Sequence, residues 1–225
     1  MAFNRPAFSV DALPAEILTA RLVGIGFNFA ATGEADADIE CTLLQASVVG
    51  MEGQDLRVLG VLVTWLGIHH AHVNVDRLVR VVSGHPSVRV RAFWCAIAKW
   101  LGKDRRLARL MRLYKGARID LLPVGNAFQV TRRGEDPRFG NTVLCVPQGS
   151  LRNLPEDVLD PAALARHHAI YRHRVWMGAN WRADIWCLLS REPDCRVSDV
   201  ARRVGCSFST AWDVVQDFRL LGGMP

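Results

Sequence analysis

The stretch Arg196–Gly222, RVSDVARRVGCSFSTAWDVVQDFRLLG, decides how this chain is read. Val200, Ala201 and Val204 recur at three- and four-residue spacing, the pattern of one buried helix face. Ser198 stands where a hydroxyl can cap that helix. Gly205 follows, and glycine enters the left-handed backbone region at little cost, so a tight turn is predicted there. A second helix then starts on a cap from Ser207 or Ser209 and sets Ala211, Val214, Val215 and Phe218 on one face. Ala201 is small where two helices have to cross closely. The stretch predicts two short helices joined at Gly205; an ordinary helical hairpin shares that spacing.

Working outward, Asn180 can cap a helix over Trp181–Ser190 whose core residues are Ile185, Trp186, Leu188 and Leu189, with Pro193 ending it. Asp160 and Pro161 open the helix before that, a capping carboxylate followed by proline at the first helical position. It runs through Leu164, Ile170, Tyr171 and Val175 and stops at Gly178. Ala127–Thr131 and Thr142–Val146 are short β-type runs on either side of RRGEDPRFGN, which predicts a hairpin. Further back, from Asp36 to Tyr114, the apolar spacing predicts five helices, the second of them (Leu56, Leu59, Val63, Leu66) apolar almost all round. The expected fold class is mainly α: a helical bundle over residues 1–118, a connecting region 119–178 with a β-hairpin and a helix, and a helix-turn-helix domain over 179–225.

Charge is unevenly placed. The chain carries a net charge of +6, yet residues 1–60 hold three basic and eight acidic side chains, while residues 99–118 hold eight basic and one acidic. Lys103, Arg105, Arg106, Arg109, Arg112 and Lys115 form this basic patch on a predicted fifth helix, with Arg105, Arg109 and Arg112 on a shared face. Such a stripe can pair with phosphates or with an acidic partner, and a solvated face is the plain alternative. Six cysteines without a CxxC pair and the lack of a charged-then-apolar leader predict a reduced, cytoplasmic protein. The longest apolar run, Val58–Ile68, is too short to span a bilayer, so no membrane partner is expected.

The C-terminal stretch resembles the helix-turn-helix of winged-helix transcriptional regulators, over about the last fifth of the chain. Numbered from Val197, the positions such a motif buries fall on Val200, Ala201, Val204, Cys206, Ala211 and Val214, with Gly205 at the turn. The resemblance implies a DNA-binding regulator whose second helix enters the major groove. Carried over by position, its exposed residues are Ser207, Phe208, Ser209, Thr210, Trp212, Asp213 and Gln216, with Arg202 and Arg203 beside them for phosphates. It also implies double-stranded DNA and a homodimer as partners, the bundle serving dimerisation, sensing or partner capture. The pattern is broken in places. Arginine often stands where Phe208 and Asp213 stand here, and the chain ends at Pro225, where a β-wing would form. Phe208 and Trp212, one turn apart, also fit a protein-binding pair, so a non-catalytic adaptor or antitoxin is the competing expectation, with the basic helix as its other holding surface.

Catalytic and metal chemistry find no footing in the motifs. There is no GxSxG, HExxH or P-loop, and Gly24-Ile25-Gly26 reads as a turn, so no enzyme and no cofactor are expected. His69, His70, His72 and His85 invite a metal reading, but helix ends favour histidine without one. Cys206 occupies a core slot, and the expectation is no metal.

Overall fold

The computed structural model describes residues 13–222. It is mainly helical: α1 (Ala15–Gly24), α2 (Ile39–Met51), α3 (Leu56–His69), α4 (Val75–Gly84) and α5 (Val88–Trp100) form the N-terminal bundle. Each of the last four begins on a polar side chain that caps it. Asp38 accepts from the Cys41 amide, Asp55 from Arg57 and Val58, Asn74 from Arg77, and Ser87 from Val90. α3 is buried on nearly every side, and its Trp65 indole donates to the Ile25 carbonyl at 2.8 Å. Trp94 of α5 donates to the Ser47 hydroxyl at 3.0 Å, so both large rings are buried with their one donor satisfied.

The basic segment departs from the α-helix expected for it. Arg105–Arg112 winds as a 3-10 helix, with three residues per turn. Leu107 and Leu110 are therefore stacked inward in one row, and Arg106, Arg109 and Arg112 form the neighbouring row. Arg105 falls outside that row, which corrects the shared face drawn from a 3.6-residue period.

The predicted hairpin is replaced by a crossover. Ala127–Thr131 lies within a helix, α6 (Asn126–Arg133), and not in a strand. β1 (Ile119–Asp120) pairs in parallel with β2 (Leu144–Cys145), Ile119 opposite Leu144. Parallel strands need a long connection, which α6 and its flanks supply, whereas a tight hairpin can only make an antiparallel pair. The buried Asn126 fixes the start of α6 by donating to Asp120 at 3.0 Å and accepting from the Leu122 amide. Five-residue runs with no capping clue carry too little periodicity to separate helix from strand.

The helix expected from Pro161 to Gly178 is broken in two, α7 (Pro161–His167) and α8 (Ala169–Met177). His168 makes the break. Its Nε2 donates to the Ala37 carbonyl and its Nδ1 accepts from the Tyr171 amide, which caps α8. Leu121, Phe139, Leu144, Val146, Leu151, Leu164 and Tyr171 share one hydrophobic core with the bundle helices. α9 (Trp181–Leu189), α10 (Val197–Val204) and α11 (Phe208–Leu220) gather around a second core.

Candidate nucleic-acid interface

Ile185, Trp186 and Leu189 of α9, Val200 and Val204 of α10, and Ala211, Val214, Val215 and Phe218 of α11 make up that second core. Ala201 and Cys206 are half-buried against it. Gly205 turns the chain at φ 84°, and its amide bonds back to the Ala201 carbonyl at 2.9 Å. Ser207 caps α11 by accepting from the Thr210 amide at 3.1 Å. Ser198 does not cap α10: that helix begins at Val197, with Arg196 at the cap position and no side-chain cap.

α11 turns a mixed face to solvent. Phe208 and Trp212 are half exposed and stacked, with ring centroids 6.4 Å apart at 27°. Ser209 and Asp213 are exposed beside them, and Thr210 and Gln216 are partly covered. The hydroxyls of Ser207 and Thr210 lie 2.7 Å apart, so they already bond one another. Arg202 pairs with Asp199 at 2.7 Å, and Arg203 makes a two-pronged pair with Glu192 at 2.5 and 2.7 Å. Farther along, Asp217 pairs with Arg182 at 2.6 Å. The expected phosphate-holding arginines are exposed but carry acidic partners of their own.

A buried ionic junction, which the sequence motifs do not signal, joins this unit to the bundle. Arg174 of α8 is 2 % exposed and reaches two carboxylates. It meets Glu40 at 2.6 and 3.0 Å and Asp184 at 2.7 and 3.0 Å. Asn74 completes the set, donating its amide nitrogen to Asp184 and its backbone N–H to Glu40, both at 2.9 Å. Burial alone would lower the Arg174 pKa, but the two carboxylates raise it on balance, so the guanidinium stays charged. Arg77 of α4 pairs with Asp38 and donates to the Val204 carbonyl at 2.7 Å, closing the end of α10. One helical turn on, Arg80 lies over the Trp181 ring at 5.3 Å. Glu40, Arg174 and Asp184 stand on largely buried helix faces, which is a signal in itself, but the approach of Glu40 to Arg174 across 134 residues is not legible in the sequence.

The histidines are engaged in the fold. His69 accepts at Nδ1 from the Tyr171 hydroxyl at 2.7 Å and donates from Nε2 to the Leu159 carbonyl at 3.0 Å. Burial pushes its pKa down to about 4. Among the described residues no group of three or more His, Cys, Asp or Glu is placed to hold a metal ion, and no helix is long and apolar enough to cross a membrane. Burial raises the thiol pKa of Cys41, Cys187 and Cys206. The charged side chains of the basic patch are exposed from Lys103 to Lys115. Comparison with families of known proteins, with curated proteins and with solved structures returns no match.

Proposed function

We propose that this protein binds duplex DNA through α10 and α11 and acts as a transcriptional regulator, with the bundle as a rigid mount. The observation that carries the reading is the turn. An eight-residue helix, a left-handed Gly205 and a capped thirteen-residue helix leave the N-terminal end of α11 open to solvent. That end offers Ser209 and Asp213 to base edges, and the half-covered Gln216 follows two turns into the helix. An aspartate accepts from cytosine N4, and a glutamine can make a paired contact to adenine. Titration of a mixed duplex library at low and rising salt tests the reading. Affinity should fall steeply with salt, and Asp213→Ala or Gln216→Ala should shift base preference by about 1–3 kcal/mol at one base pair. No binding at low salt removes the proposal.

The Phe208–Trp212 stack favours a second reading, an adaptor or antitoxin that grips protein. Half-exposed aromatic rings are the usual anchors of protein interfaces. Under that reading Phe208→Ala and Trp212→Ala release a partner, while changes at Asp213 and Gln216 leave base preference untouched. The winged-helix form and the homodimer belong to these proposals as well.

A further inference from the structure

We propose that the 3-10 segment around Arg105–Arg112 is a second contact for duplex DNA, gripping the phosphate backbone beside the helix-turn-helix. The inference rests on the DNA-binding reading above. It begins from a deficit: residues 179–222 hold six basic and six acidic side chains, and Arg182, Arg202 and Arg203 are paired within the unit. Non-specific affinity for DNA comes from cations that displace counterions from phosphates. A neutral reading head must borrow that charge from elsewhere on the molecule.

The 3-10 segment has charge to lend. Two of its cations anchor it. Arg106 pairs with Asp104 at 2.6 Å and donates to the Ala71 carbonyl at 3.0 Å, and Arg109 pairs with Asp76. Lys103, Arg105, Arg112 and Lys115 are exposed and meet no carboxylate among the described residues.

Its position is set by α4. Asp76, in the first turn of that helix, holds Arg109, and the adjacent Arg77 holds the Val204 carbonyl at the end of α10. Arg80 lies 3.6 Å from where a Cβ on Gly205 would stand. One helix therefore touches both the basic segment and the turn, through the consecutive residues Asp76 and Arg77. A single turn of duplex, about 34–36 Å, is long enough to meet two such neighbouring elements.

The main rival occupant is the acidic N-terminal segment of a second copy. Among the described residues, most of its carboxylates are already used at home. Glu34, Asp36, Asp38 and Glu40 pair with Arg21, Arg191, Arg77 and Arg174 of the same chain, and Asp55 caps α3. An external polyanion suits the segment better.

The test compares the full chain with the triple variant Arg105→Ala/Arg112→Ala/Lys115→Ala on a labelled mixed-sequence duplex of about two helical turns. Salt is varied from about 50 to about 200 mM. The slope of log affinity against log salt should become shallower by about 2 to 3, near 0.9 for each phosphate no longer neutralised. The charge-keeping variant Arg105→Lys/Arg112→Lys/Lys115→Arg should retain the slope, and thermal melts should match throughout. An unchanged slope in the alanine variant overturns this inference and leaves the helix-turn-helix reading standing. A shallower slope together with silent Asp213→Ala and Gln216→Ala variants upholds the basic contact and removes the helix-turn-helix reading. Absence of any binding by the unaltered chain overturns both. A change in mass by light scattering with intact DNA affinity makes the segment a protein contact and also overturns the inference.

Discussion

α2 leaves no residue fully exposed and α3 only Arg57, Gly67 and Ile68, whereas α10 and α11 each bury a single stripe and present much of the rest. The bundle extends one apolar core from Leu18 to Tyr171; the C-terminal unit keeps a small core of its own. Where the two meet, Glu40, Arg174 and Asp184 replace further apolar packing. Hydrophobic burial is non-directional and tolerates sliding. A guanidinium forked between two carboxylates fixes an angle as well as a distance. The contrast teaches that mass and orientation are secured by different forces, with the bundle supplying stability and the ionic junction setting how α11 is aimed.

Removing the guanidinium should produce the largest break in that comparison. Arg174→Met leaves two buried carboxylates with only Arg77, 3.7 Å from Glu40, as a neighbouring cation and should cost about 3 kcal/mol. Replacing the set together, Glu40→Leu/Arg174→Met/Asp184→Leu, should recover only part of that loss, because the apolar trio removes the buried charges but leaves the two Asn74 donors without acceptors. If the junction serves orientation, the triple variant should still bind DNA more weakly than the original chain. Urea denaturation and DNA titration on the same samples check both parts. A single variant as stable as the parent would show the junction to be hydrated and slack.

Acid should then strike the bundle and spare the C-terminal unit, since residues 179–222 contain no histidine. Burial holds His69 neutral down to a pH of about 4, and it also lowers His72 and His168 from their ordinary values. An unfolded imidazole takes up its proton near pH 6.5. Between those limits the unfolded chain binds protons that the folded one refuses, so stability falls as pH drops from about 6.5 to about 4. At about 1.4 kcal/mol for each pH unit between the two values, His69 accounts for up to about 3 kcal/mol. Denaturation midpoints at pH 7 and pH 4.5 should differ accordingly, and His69→Gln should narrow the difference. Equal midpoints in the unaltered chain would defeat the argument.

The two regions also differ in how much of them is legible in the residues alone. Helix existence follows from local chemistry: Asp38, Asn74, Ser87, Asn180 and Ser207 all cap the helices that follow them. The β-type run Thr142–Val146 does hold a strand, Leu144–Cys145, but its partner is Ile119–Asp120. Partner choice is a long-range property that a five-residue pattern does not encode. The 3-10 winding of Arg105–Arg112 does leave a local signal, which a 3.6-residue reading passes over. Leucines at 107, 110 and 113 fit a period of three, and arginines recur at 106, 109 and 112 in the same step. For the candidate site, the turn and the outward residues are local and therefore legible. The neutralisation of Arg203 by Glu192, eleven residues away, and the junction through Arg174 depend on tertiary approach.

Glycines give the smallest expected effect and the sharpest way to tell the regions apart. Gly50 lies where α2 crosses α3, and a Cβ there would stand 2.6 Å from Leu59 Cδ1 and 2.9 Å from its Cβ. Gly205 has room, since its nearest neighbour is Arg80 at 3.6 Å, but its φ of 84° is one that side chains resist. Alanine at Gly50 is thus opposed by packing, at about 1–3 kcal/mol. At Gly205 it is opposed by backbone geometry, at about 1–2 kcal/mol. Asparagine separates the causes, because it tolerates the left-handed region better than alanine yet is larger. Gly205→Asn should therefore be more stable than Gly205→Ala, while Gly50→Asn should be worse than Gly50→Ala. Urea denaturation of the four variants reads the order directly. If asparagine and alanine cost the same at Gly205, strain at the turn is not what glycine relieves there, and the helix-turn-helix loses the feature on which its assignment rests.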